Sequence, residues 1–131
     1  MSDVENPNLI EIASDKSFDA TLGRLIEAIA RSSMTLFARI DHAAGALAIG
    51  TPMPPTTVLI YGSPAGGTPL MLAAPLAALD LPLRLLVREN DQGEVSMLFH
   101  PIAPVLRLAG VPEALAHRLD RAQQMLVEAL S

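Results

Sequence analysis

Between His42 and Leu83 the only charged side chain is Asp80. Six of the chain's 11 prolines, Pro52, Pro54, Pro55, Pro64, Pro69 and Pro75, fall within it between Pro52 and Pro75. A segment this apolar is costly to keep hydrated, so it must form packed interior or present a large apolar surface to a partner. Proline lacks an amide donor and fixes φ, which rules out one long helix or one long strand through the region. The interior must therefore be assembled from short, punctuated pieces. The most membrane-like run within it, "LMLAAPLAALDLPLRLLV" (70–87), is interrupted by Pro75, Asp80, Pro82 and Arg84. A spanning helix needs about 20 residues nearly free of such breaks, so this run reads as core and no membrane partner is expected.

With 131 residues the chain is expected to form a single domain over 1–131. It contains no cysteine, which excludes disulfides, thiolate metal sites and thiol nucleophiles. The formal charge is −5 and Lys16 is the sole lysine. Nucleic-acid binders draw most of their affinity from basic patches, and the arginines here form no run. No nucleic-acid partner is expected. The opening "MSDVENPNLIEIASDK" is acidic where a secretory leader is basic and then apolar. A cytoplasmic location is expected, with residues 1–8 flexible.

Periodicity places the elements. "LIEIA" (9–13) alternates and reads as a strand. Ser17 can cap a helix over 18–31, with Phe18, Leu22, Leu25, Ile26 and Ile29 on one face. A strand at 34–41, a short helix at 42–49 and a strand at 56–62 follow. The last is nearly apolar throughout, as a strand buried on both faces would be. After a glycine loop, a helix is expected from Pro69 to about Leu79. Strands at 82–90 and 94–101 flank an Asp91-Gln92-Gly93 hairpin turn. A helical turn ends at Gly110, and the last helix presents Leu115, Leu119, Ala122, Leu126 and Ala129 inward. The order is β-α-β(4)-α with short helices inserted in loops. It predicts an α+β layered domain, an antiparallel sheet with its long helices packed on one face.

Three blocks carry a resemblance: "FARIDHAAGA" (37–46), "PPTTVLIYGSPAGGTPLM" (54–71) and "APLAALDLPLRLLV" (74–87). Together they resemble the bacterial "domain of unknown function 302" family over about residues 15–130. The resemblance implies a TATA-binding-protein-like α+β fold, often dimeric, and no settled activity. The positions matching the family pattern are Asp41-His42, Gly62 with Pro64, Gly67-Thr68-Pro69, and Asp80.

Chemistry-bearing combinations are few. Gly62 and Gly67 have the spacing of a phosphate-binding loop, but Thr68 stands where its lysine belongs and Pro69 where its hydroxyl belongs. Nucleotide hydrolysis is not expected. A weaker anion site on the amides of Leu70 and Met71 stays open, against a plain helix start capped by Thr68. Asp41 is read first as the N-cap of the helix after it. His42 is a candidate acid/base group, and with Asp41 and His100 a candidate metal ligand, although no spacing signature supports a metal. Asp80 either ends its helix, pairs with Arg84 or Arg88, or serves as a pocket acid. Glu113 and His117 are expected to pair across one helical turn. No serine-hydrolase elbow surrounds Ser63.

The reading favoured is a non-catalytic small-molecule-binding or interaction module without a cofactor. A small anionic or apolar ligand would meet Asp41, His42, Gly62, Gly66, Gly67 and Thr68. A small enzyme using His42, His100 and Asp80 is one alternative, and a structural homodimer built on the apolar centre is another.

Overall fold

In a computed structural model that describes residues 8–131, alternating and helical segments settle into five strands and five α-helices. The flexible terminus expected for residues 1–8 lies, apart from Asn8, outside the described residues. In chain order the elements are β1 (Ile10–Ser14), α1 (Phe18–Arg31), β2 (Thr35–Asp41), α2 (His42–Ala48) and β3 (Thr56–Gly62). There follow α3 (Pro64–Ala73), a 3-10 helix (Pro75–Asp80), β4 (Leu83–Glu89), β5 (Val95–Phe99), α4 (Ile102–Leu108) and α5 (Glu113–Ala129). The sheet runs β1-β5-β4-β3-β2 with every neighbouring pair antiparallel. This is an α+β fold.

Register decides which side chains are covered, because residues directly opposite in a ladder share a face. Tyr61 faces Leu83, Leu59 faces Leu85, and the row Thr57, Val87, Met97 and Ile12 crosses four strands. Tyr61, Leu59, Leu83, Leu85, Thr57, Val87 and Met97 are all buried under the helices. On the other face Val58, Leu86 and Leu98 are only half-buried, and Arg84 is exposed. β3 is thus covered on one face, not two, because the long helices pack on one side of the sheet.

α1 buries Thr21, Leu22, Leu25 and Ile29, with Phe18 and Ile26 half-covered at the margin. Ser17 caps it by accepting the Ala20 amide at 3.1 Å. α5 turns a stripe inward that differs from the expected one: Ala116, Leu119, Gln123 and Leu126 are buried. Leu115, Ala122 and Ala129 are half-covered beside it. The rotation places a polar side chain in the core, and Gln123 satisfies it at both ends. Its Oε1 accepts the Ile102 amide and its Nε2 donates to the His100 carbonyl, each at 3.0 Å. Those bonds hold the start of α4 against the middle of α5.

Three helices end alike. One residue beyond the C-caps of α1, α2 and α4, Ser33, Gly50 and Gly110 take positive φ, and the following amides reach back to Ile29, Ala46 and Leu106. This is the Schellman arrangement, in which an αL residue lets two last-turn carbonyls be satisfied. Gly110 is the expected stop for α4; at the α1 end the αL position holds Ser33.

The apolar middle of the chain is not all interior. Thr57, Leu59 and Tyr61 of β3, with Leu70, Ala74 and Ala77, are buried, but α2 buries no residue. Leu47, Leu76 and Leu79 are 70%, 82% and 88% exposed. The reason is geometric. α2 is a single short helix at one sheet end, and α3 is apolar on all sides, so only one of its faces can meet the core.

Candidate functional site

The glycine loop is not a loop. Ser63 and Pro64 start a helix, as N-cap and first-turn proline, so α3 begins five residues before Pro69. Ser63 Oγ accepts the Gly66 amide at 3.4 Å, and the Ser63 carbonyl accepts the Gly67 amide at 2.8 Å. Thr68 therefore lies inside the helix and does not cap Met71. Pro69 lies inside the helix as well, and α3 gives way at Ala74 to the 3-10 helix. The amides of Leu70 and Met71 are not at a helix N-terminus. At the true one, Pro64 has no donor, Gly66 serves Ser63 Oγ and Gly67 serves the Ser63 carbonyl.

Beside this helix start lies a hollow of about 400 Å³. Its floor is the β2–β3 end of the sheet, where Phe37 and Gly62 meet; a Cβ on Gly62 would stand 3.5 Å from the Phe37 ring. One wall is α3, contributing Gly66, Gly67, Thr68 and Met71. Leu81 and Pro82, leading into β4, close a second side, and the α1–β2 turn adds Ser32 and Met34. The last wall is α5, through Arg118, Arg121, Ala122 and Met125. Gly66 and Gly67 leave space there: a Cβ at either position would meet nothing nearer than 3.8 Å. The volume falls within the roughly 300–1,000 Å³ of ordinary small-molecule sites, and the lining is mostly apolar as such sites are.

The expected site residues divide between the two ends of the sheet. Gly62, Gly66, Gly67 and Thr68 line the hollow. Asp41 and His42 do not reach it: Thr35 pairs with Gly62 and Asp41 with Thr57, so they stand a strand length away, about 20 Å. Asp41 N-caps α2, its Oδ1 accepting the Ala44 amide at 2.9 Å. Asp41 also borders a separate hollow of about 400 Å³, shared with Phe18, Leu47 and Met53.

The acid/base candidates do not assemble. His42 is exposed at the far end of β2, while Asp80 is exposed at the end of the 3-10 helix, on the side of the sheet where β4 starts opposite Tyr61. His100 follows β5, three strands from β2, and its Nδ1 is hydrogen-bonded to the Asn8 carbonyl. Among the described residues Asp80 forms no ion pair with Arg84 or Arg88, and no three His, Cys, Asp or Glu side chains gather to hold a metal. Glu113 pairs with Arg107 rather than with His117. Arg107 Nε and Nη2 donate to its two carboxylate oxygens at 2.7 and 2.8 Å. That contact lowers the Glu113 carboxyl from its ordinary range, with His117 a minor contributor. Under the floor, Tyr61 is 1% exposed, and burial raises its phenol well above the ordinary value.

Phe37, Met125, Arg118 and Arg121 are site residues that the sequence reading did not single out. Positions 118, 121, 122 and 125 follow the i, i+3, i+4, i+7 spacing of one helix face, and that pattern was the available signal. Nothing local says that this face meets a hollow.

A family model described as "Domain of unknown function DUF302" matches residues 10–131. A similar fold is seen in the crystal structure of an uncharacterized conserved DUF302 protein from Bacillus stearothermophilus. The TM-score is 0.84 at 12% identity, covering 95% of this chain and 98% of that one. Among curated proteins, "Fluoride-specific ion channel FluC 1" of Brucella suis biovar 1 (strain 1330) is 36% identical over 95 residues, 72% of this chain and 37% of that protein. The protein of the same name from Brucella abortus biovar 1 (strain 9-941) matches over 95 residues at 36% identity and 35% of its length. The chain thus spans little more than a third of these relatives. Among the described residues no helix is long and apolar enough to cross a membrane.

Proposed function

The chain belongs to the DUF302 family, whose description assigns no activity, and from that premise we propose that it is a non-catalytic small-molecule-binding module. The observation that carries this reading is the hollow between α3, Pro82 and α5, mostly apolar and lined by the glycine-bearing helix start. The dispersal of His42, His100 and Asp80 supports binding over acid–base catalysis, which needs such groups within hydrogen-bond reach of one another or of substrate.

A thermal-shift screen against metabolites tests it, using the natural chain beside Ala122→Trp, which fills the hollow from α5, and Leu47→Ser, which alters only the other end. A ligand of the hollow raises the melting temperature of the natural chain and of Leu47→Ser but not of Ala122→Trp. Equal shifts in all three proteins would place binding elsewhere and overturn the reading.

A second reading, self-association, draws on Leu72, Leu76, Leu79 and Leu108, exposed on three neighbouring elements, with the 3-10 helix packed against both α3 and α4. A monomer seldom leaves so many leucines wet in one region. Light scattering coupled to size exclusion would show a dimer that Leu76→Gln with Leu108→Gln converts to monomer; a monomeric natural chain at micromolar concentration rejects it. The Brucella channels carry the similar region within longer chains, and their channel name describes those proteins.

A further inference from the structure

We infer that the ligand of the hollow is an amphiphilic anion: an apolar body seated against Met34, Phe37, Met71 and Met125, and a carboxylate held at the α5 rim by Arg118 and Arg121. The inference rests on the reading of the hollow as a ligand site and adds to it a chemical class and two recognition residues. Three observations carry it.

The first is charge. The chain has a formal net charge of −5, yet among the described residues the lining of this hollow includes two arginines and no carboxylate. The second is that, among the described residues, neither arginine has a counter-ion. Arg107 is engaged by Glu113, Arg31 by Glu27, and Arg24 donates to the Ala129 carbonyl; Arg39, Arg84 and Arg88 are unpaired among the described residues but do not line the hollow. Arg118 and Arg121 have no ion pair or side-chain hydrogen bond among the described residues. They stand three apart on one helix face, where like charges repel each other, and an anion between them removes that repulsion. The third is the gradient along α5. Arg118 and Arg121 precede Ala122 and Met125 on the same stripe, so the cationic end of the wall passes into its apolar end within two turns.

Together these match a ligand with a negative head and an apolar tail. A neutral apolar molecule would leave the guanidinium pair unused. A polyphosphate would place charge against Phe37, Met34 and Pro82 without the lysine and the cluster of free amides that such ligands require. Guanidinium suits a carboxylate because its planar donors can engage both oxygens at once.

Octanoate and octanol, equal in chain length and different in charge, are the probes. Both are titrated into the full chain carrying labelled methionine methyl groups, followed by NMR at Met34, Met71 and Met125. Octanoate is expected to shift these methyls and to bind about tenfold more tightly than octanol, the effect of a charge-assisted hydrogen bond. In Arg118→Gln with Arg121→Gln, octanoate should fall to the affinity of octanol, while octanol is unchanged. Both substituted positions are exposed, so the fold should tolerate them. Equal binding of the two probes to the natural chain, or an unchanged preference in the double variant, overturns the anionic class and leaves the hollow standing as an apolar site. If neither probe moves the three methyls, the hollow itself fails as a ligand site and the inference falls with it.

Discussion

Gln123, midway along α5, accepts the backbone amide of Ile102 at 3.0 Å across 21 residues of sequence. With the other half of its amide it holds the His100 carbonyl, so one buried side chain fixes where the chain leaves β5 and where α4 begins. Gln123→Leu keeps the volume and strands both backbone groups. The expected loss is about 1–3 kcal/mol, the cost of leaving buried polar groups unpaired. Urea denaturation measures it, and a change below the experimental scatter would mean that water replaces the amide.

Ser33 sits at φ 58°, in the left-handed region, where it completes the end of α1. Its neighbours Ser32 and Met34 line the hollow. A residue with a Cβ is strained in this conformation by roughly 1 kcal/mol, and glycine is not. Ser33→Gly should therefore stabilise the protein by some tenths of a kcal/mol up to about 1, net of glycine's greater freedom when unfolded. A fall in the denaturation midpoint would contradict the αL assignment.

The start of α3 makes a paired prediction. Ser63→Ala removes the cap on Gly66 and should cost about 0.5–1 kcal/mol, toward the low end because the bond is 3.4 Å long. Thr68→Ala, inside the helix, should cost nothing measurable or raise stability slightly through better helix propensity. The reverse order would return the helix start to Pro69.

Tyr61 is the only tyrosine, and the chain has no tryptophan, so phenolate absorbance reports this one residue. Burial holds its folded-state pKa above that of the unfolded chain. The unfolded state therefore releases the proton first as pH rises. The contribution is complete below the ordinary phenol value, about 10, and is lost progressively as pH climbs toward the raised folded value. Absorbance should stay flat past that ordinary value until unfolding exposes the ring. Tyr61→Phe should match the natural chain at neutral pH and lose this part of its alkaline sensitivity. Titration of the folded protein at the ordinary value would show an accessible phenol.

What could be read from the residues was what they decide locally. The α1 stripe of Leu22, Leu25 and Ile29, the Ser17 and Asp41 caps and the Gly110 stop each depend on atoms within about one helical turn. The alternation of β3 was hidden because its uncovered face is also apolar, and hydropathy cannot say which side the helices will occupy. The α3 start was misplaced for a related reason: Ser63-Pro64 and Thr68-Pro69 are both hydroxyl–proline pairs, equally good as local signals. Packing of the helix against α5 had to choose between them.

Amino-acid order alone determined an α+β domain with its caps, its turns and an apolar centre, because short-range sterics and hydrogen bonds do not need to know the neighbours. Only the folded arrangement decided that Asp41 and His42 lie a strand length from Gly62, that Gln123 turns inward, and that Arg118 and Arg121 face a hollow. Those outcomes follow from strand register and helix rotation, which are set by the simultaneous packing of residues far apart in the chain.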